Sequence, residues 1–153
     1  MFQHRTVVVA GSKRRARDLA RVFRYSAVRI TGGMKKEYRE ENLQKFEEGK
    51  VQVLVISNFS AITAAGLELP LVTNVINLGL SGGMWRYQQT TAALRNRGLA
   101  TTLLSPEDLR KRHLMIKLRS FLIEMKQNVP GFLLDLYETI FCTSLEVMKS
   151  VSK

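Results

Sequence analysis

The chain of 153 residues carries 24 Lys+Arg against 13 Asp+Glu, a formal charge of +11, on an ordinary 45% hydrophobic content. That length suits one domain with a real core. The cationic excess favours a polyanionic partner, first nucleic acid and second acidic lipid or acidic protein, the alternative being a solubility surface. A lone cysteine, Cys142, and two distant histidines, His4 and His113, exclude a disulfide framework and a Cys-based metal centre within the chain and point to a reducing compartment. The apolar run near the N-terminus is too short for a signal peptide or a membrane span. A start at Met1 leaves open that the chain is a piece of a longer protein.

Taken in chain order, "TVVVA" (residues 6–10) is β-branched and reads as a buried strand. Ser12 is placed to cap a helix whose inward stripe is Ala16, Leu19, Ala20 and Phe23. "AVRI" (27–30) is a second strand, broken by Gly32 and Gly33. "KKEYREENLQKFEEG" is a helix with Tyr38, Leu43 and Phe46 inward, stopped by Gly49. Residues 51–57 form a third strand, and a long loop ends at Pro70. "TNVINLGL" holds a fourth strand. Gly82 and Gly83 lead into a polar helix, "YQQTTAALRNRG" (87–98), which ends in Arg95 and Arg97. "LATTLLS" is a fifth strand. "SPED" starts a helix with Ser105 as cap, Pro106 first and Asp108 third, running to about Met125. Asn128, Pro130 and Gly131 break it, and a last helix covers about 132–151.

Five strand–helix repeats predict an α/β fold: a mainly parallel sheet of five to six strands with helices on both faces, in three layers. Residues 1–130 form that domain and 131–153 a C-terminal helical extension. Ligands of such sheets gather at the carboxyl ends of the strands. Four of those five ends carry glycine or a small hydroxyl residue beside cations. Lys13, Arg14, Arg15, Arg17, Arg21 and Arg24 crowd the first helix. Lys35, Lys36 and Arg39 open the second, and Arg86, Arg95 and Arg97 flank the fourth crossover. Backbone N–H groups at the helix starts and these cations can both meet phosphate. Only Tyr38, Trp85 and Tyr87 stand near enough to stack on bases, so contact would be backbone-directed. No glycine–lysine phosphate loop, catalytic triad or metal set is visible, and the carboxylates of "EYREE" read as a solvated face. The last helix is apolar over more than half its girth at Phe132, Leu136, Ile140, Phe141 and Leu145. It either lies deep between two others or meets a second copy of itself.

The order of these pieces resembles the second (C-terminal) RecA-like domain of DEAD-box RNA helicases, over most of 6–134. "TVVVAGSKRRARDLARVF" is similar to the family's VFVxTKxxAxxLAxxL. "ITGGMKKEYREENLQKFEEGKVQVLVIS" is similar to LHGxMxQxxRxxxLxxFxxGxxxVLVAT, with Gly32, Met34, Arg39, Leu43, Phe46 and Gly49 in register. "GLELPLVTNVINLGL", "LLSPED" and "VPGFLLDL" resemble GLDIPxVxxVINYDL, FxTPxD and VPExLxxL. The resemblance implies a RecA-like fold. It also implies RNA contacts at Ser12, Lys13, Gly32, Lys36, Arg39 and Ser57, where caps and a surface salt link are the competing structural reading.

Two departures bear on catalysis. The family's YxHRxGRTGR, whose arginines reach ATP phosphate in the neighbouring domain's site, corresponds to 87–98. Reading forward from Tyr87 puts Ala93 and Asn96 at those arginines. Reading back from Gly98, with three residues deleted, puts Thr90 and Ala93 there. On this helix, one residue of offset rotates Arg95 or Arg97 by about 100° away from the needed direction. The family's TDxxARGxD becomes "SNFSAITAAGLE", three residues longer between Ser57 and Gly66, with Ala65 for the arginine and Glu68 for the ribose-contacting acid. Losing such arginines commonly costs orders of magnitude in phosphoryl transfer. Catalytic residues are therefore not expected in this domain, nor a cofactor, ATP being relevant only if a functional first RecA-like domain is paired with it. Degenerate DEAD-box domains of this kind resemble the helicase-like parts of Tudor-domain proteins of the germline piRNA pathway, including the Yb type. That implies a non-catalytic module that binds RNA and self-associates, cytoplasmic and within RNA granules, with other domains of the same chain as partners. The alternatives are a homodimerisation domain with a vestigial RNA surface, and half of an active ATP-dependent helicase.

Overall fold

A computed structural model of the chain describes residues 5–64 and 66–135. They fall into two units, the first closing at Ser105 and the second opening at Pro106. The first is built on strands β1 (Thr6–Val9), β2 (Ala27–Ile30), β3 (Val53–Ile56), β4 (Val72–Leu78) and β5 (Leu94–Leu103). They lie in the order β2-β3-β1-β4-β5, and every neighbouring pair is parallel. Parallel neighbours cannot be joined by a hairpin, so helical segments cross between them. These are α1 (Lys13–Phe23), α2 (Lys36–Glu47), the short α3 (Ser60–Thr63) and α4 (Gly83–Ala92).

Both sheet faces are buried because alternate strand residues point to opposite sides. On one face Val8, Ala10 and Val55 pack with Ala16 and partly with Leu19 of α1. On the other, Val7, Ile30, Leu54, Ile56, Val72 and Val75 pack with Leu43 and Phe46 of α2 and Ala61 and Ile62 of α3. Phe46 is fully buried; truncating such a side chain costs about 3–5 kcal/mol. The result is the predicted three-layer α/β sandwich. Ser12 caps α1 as its residue type suggests: its backbone is extended and its Oγ accepts the Arg15 N–H at 3.2 Å.

Several sequence expectations are corrected. The helix expected over 87–98 stops at Ala92. The Ala93 carbonyl accepts the Val72 N–H at 2.9 Å, which starts β5 at Leu94 and puts Arg95 and Arg97 on a strand. The helical rotation argument therefore does not apply to those arginines. Between the pairs Val72–Leu94 and Asn74–Leu99 the register jumps, five residue steps on β5 facing two on β4. Tyr38, expected inward, is 58% exposed. Phe23, also expected inward, is 39% exposed at the end of its stripe. The loop ending at Pro70 contains α3, whose first turn is held by Asn58: its Oδ1 accepts the Ala61 N–H at 3.1 Å.

The second unit holds α5 (Pro106–Arg110) and α6 (Arg112–Glu124), where one continuous helix was predicted. Lys111 leaves helical geometry with ψ 71 and pairs with the buried Asp108 at 3.8 Å. Leu114, Met115 and Leu118 form the buried face of α6. Residues 131–135 are helical, Leu133 is buried and Phe132 is 44% exposed. Leu136, Ile140, Phe141 and Leu145, named for self-association, lie outside the described residues, as does the rest of that helix.

Candidate nucleic-acid interface

Because all strands of the sheet run the same way, residues 11–13, 31–33, 57–58 and 79–83 collect along one edge. β1 is the point at which the chain changes direction across the sheet. α1 leaves β1 on one face, and α2 and α3 cover the other. α4 joins them there, since Thr90 of α4 reaches Asn77, two residues along β4 from Val75 of that core. Such a switch leaves a crevice above the strand ends.

The edge brings part of the predicted RNA set together. Lys13, in the first turn of α1, reaches across to the turn after β2. A Cβ added to Gly32 would stand 3.4 Å from the Lys13 Cε, and one on Gly33 3.5 Å from its Nζ. Ser12, Lys13, Gly32 and Gly33 thus form one continuous surface, and Lys36 opens α2 beside it. Lys36 is exposed and pairs only loosely with Glu40, at 3.6 Å. Such exposed pairs contribute little and leave the cation available. Tyr38 and Trp85, 58% and 65% exposed, can offer ring faces; Tyr87 is buried and cannot.

Two members of the set stand elsewhere. Arg39 is half-buried, and its Nη1 donates to the Ala61 carbonyl at 3.2 Å, tying α2 to α3. Its buried Nε has no hydrogen-bond partner. Ser57 is 1% exposed. Its N–H donates to the Ile30 carbonyl at 3.1 Å, while its Oγ has no partner. Ser57 therefore lies beneath the edge, where it joins β3 to β2, rather than on its surface.

The nucleotide-facing positions are more revealing. Thr90 is 1% and Ala93 7% exposed, so both face into the unit. The Thr90 hydroxyl has one proton, and its shorter contact, 2.8 Å, gives it to the Tyr87 carbonyl. Asn77 Oδ1, 3.2 Å away, would then face only a lone pair, while Asn77 Nδ2 is buried without a partner. Turning the Asn77 amide by 180° lets Nδ2 donate to Thr90 Oγ1 and removes the conflict. Glu68 is exposed. Ala65 and the side chain of Asn96 lie outside the described residues.

Above this pair a cavity of about 20 Å³ is lined by Val9, Asn58, Asn77, Ser81, Arg86 and Thr90, among others. It has room for a water but not a nucleotide. Ser81 of that lining is also met by Gly11: at φ +78, an added Cβ would stand 2.5 Å from Ser81 Oγ, so only glycine lets the β1 and β4 turns touch. Arg86 folds over Gly82, whose φ is +97 and where any Cβ would overlap the arginine. Asn58, Asn77, Ser81, Arg86 and Thr90 give the cavity its polar lining. The sequence placed Arg86 in the basic surface and gave no sign of Asn77, because the contact joins a strand interior to a helix 13 residues away. Among the described residues there is no group of three or more potential metal ligands.

This strand order, with helices on both faces and a glycine-rich strand-end edge, defines a RecA-like domain. A family model described as the helicase conserved C-terminal domain matches residues 1–92. The probable ATP-dependent RNA helicase ddx41 of Dictyostelium discoideum is 33% identical over 113 residues, 72% of this chain and 16% of that protein. The ATP-dependent RNA helicase abstrakt of Drosophila melanogaster is 34% identical over 113 residues, 72% of this chain and 17% of that protein. The crystal structure of the yeast DEAD-box splicing factor Prp28 superposes with a TM-score of 0.75 at 23% identity, covering 90% of this chain and 31% of that one. The chain belongs to the helicase conserved C-terminal domain family, as a C-terminal RecA-like domain of the DEAD-box type. It spans about a sixth of the length of these two curated relatives.

Proposed function

We propose that this domain is an RNA-binding helicase module that does not complete an ATPase site. One observation carries the RNA half: the Lys13 ammonium lies over the Gly32–Gly33 turn, so a cation, a capped helix start and an open glycine turn present one surface to a phosphate. With Lys36 at its margin and Tyr38 and Trp85 exposed near it, that surface suits a single strand held by its backbone and lightly stacked. Arg39 and Ser57 support it from below.

The non-catalytic half draws support from Thr90 and Ala93. An ATP-sensing arginine must reach out of its own domain to a neighbour's nucleotide, and both side chains point inward. On the resemblance to Tudor-domain piRNA proteins we extend the proposal to a role in a germline small-RNA pathway. There the module would sit in cytoplasmic RNA granules, without a cofactor of its own, self-associating through Phe132 and the residues that follow it and working beside other domains of the same chain.

Binding of a fluorescent single-stranded RNA of mixed sequence, followed against salt, tests the RNA half. Affinity should fall with salt at a slope of about −0.7 per phosphate neutralised. Lys13→Gln with Lys36→Gln should flatten it by about 1.4. Absence of binding at low salt would assign the fold to protein interaction instead. Sedimentation with and without residues 132–153 tests self-association, and a monomer in both would remove that part.

A further inference from the structure

Beyond Lys13, the solvent face of α1 is not used by the strand-end edge, yet α1 is the most cationic element described. Lys13, Arg17 and Arg21 recur every fourth residue and so stand one above another on one face, and Arg24 follows where the helix ends. All four are exposed. The helix has a single acid, Asp18, and it pairs with Arg14 at 4.0 Å. Among the described residues no ion pair engages Lys13, Arg17, Arg21 or Arg24. At 1.5 Å per residue this ridge is about 16 Å long. Helix α1 starts at the carboxyl end of β1 and runs back along the sheet, so the ridge leads from the Gly32–Gly33 edge to the opposite edge.

The far end is unusual in a second way. Arg24 has φ 43, a left-handed conformation that costs a non-glycine residue of order 1–3 kcal/mol. The turn leaves Tyr25 92% and Val22 76% exposed. A ridge of unpaired cations that ends on an open aromatic ring combines phosphate contact with a base-stacking platform. An acidic protein segment would satisfy the cations but give the ring no planar partner.

We propose that α1 is a second RNA tract: a single strand leaving the strand-end edge at Lys13 continues along Arg17, Arg21 and Arg24, with a base stacked on Tyr25. Arg17, Arg21 and Arg24 offer three phosphate contacts to the strand beyond the edge. The tract rests on the RNA-binding reading, and oligomer length separates the two. A strand of about 6 nucleotides fills the edge alone, and one of about 12 also reaches Tyr25.

Anisotropy titrations of both oligomers against salt test it on the full chain and on Arg17→Gln/Arg21→Gln/Arg24→Gln. The longer RNA should show a slope steeper by about 2, three neutralised phosphates at 0.7 each, and the triple variant should lose that increment. Between 50 and 200 mM salt the wild-type complex with the longer RNA then loses roughly 20-fold more affinity than the variant's. The 6-nucleotide complex should be unchanged by the variant, and melting should confirm that it folds. Tyr25→Ala should weaken only the longer complex, by about 5-fold or more, the lower end of what one base–aromatic stack contributes. Equal slopes for the two lengths, with both variants inert, would overturn the tract and leave the edge standing. No binding of either RNA would overturn both. Displacement of the longer RNA by polyglutamate of matched charge, with Tyr25→Ala inert, would assign the ridge to an acidic protein and also overturn the proposal. Binding of the longer RNA alone would support the tract and remove the edge.

Discussion

Replacing Thr90 by valine removes one oxygen from a site that is 1% exposed and keeps the branched shape. The oxygen donates to the Tyr87 carbonyl at 2.8 Å and lies 3.2 Å from the Asn77 amide. Valine leaves that amide buried without its nearest partner, a penalty of about 1–3 kcal/mol. Water in the adjacent cavity of about 20 Å³ can recover part of this, which places the expected loss near 2 kcal/mol. For a chain of this size that is a fall in Tm of roughly 4–8 °C. Thr90→Ser keeps the hydroxyl and loses one methyl, about 1 kcal/mol. Thr90→Arg forces an unpaired cation into the same site and should cost several kcal/mol, enough to unfold most of the chain. Thermal melting by circular dichroism ranks the series as wild type, serine, valine, arginine. If arginine melts with wild type, residue 90 faces solvent, and the physical case against an ATP-sensing arginine at this position fails.

Lys36 and Arg39 share a helix and should separate cleanly. Lys36→Gln should leave Tm within about 1 °C, since its pair with Glu40 is exposed, while weakening RNA. Arg39→Met should lower stability by about 1–2 kcal/mol by cutting its bond to Ala61, and denaturant melts of the two variants distinguish these outcomes. Gly11→Ala meets both a strained φ and the Ser81 hydroxyl; a loss of about 1–3 kcal/mol is expected, and an unchanged midpoint in urea would show that the β1 and β4 turns do not touch.

Much of the fold was readable because local and global signals agree in it. The β-branched runs at 6–9 and 53–56 are two of the three interior strands and 27–30 the edge beside them, and burial on both faces favours such continuous apolar stretches. Ser12 was readable as a cap because the partner N–H lies three residues on. What failed was set at long range. Nothing local says that Ala93 will hand its carbonyl to Val72, 21 residues back, so the end of α4 and the start of β5 could not be placed. Tyr38 lies five residues before Leu43 and so falls off the i, i+4, i+7 stripe of Arg39, Leu43 and Phe46, the face that α2 turns inward. The basic edge was legible as charge, but its division was not. Lys13 and Lys36 face outward, whereas Arg39 and Ser57 are drawn into the packing by Ala61 and Ile30, and only the tertiary structure distinguishes a contact from a brace.

RNA-dependent ATP turnover by the full-length protein tests the central claim most directly, measured beside RNA binding in the same buffer. The expected result is salt-sensitive RNA binding with no turnover above the protein-free rate. Turnover that rises with RNA, in the range of 1 per second or more typical of enzymes, would contradict the proposal of a module that does not complete an ATPase site.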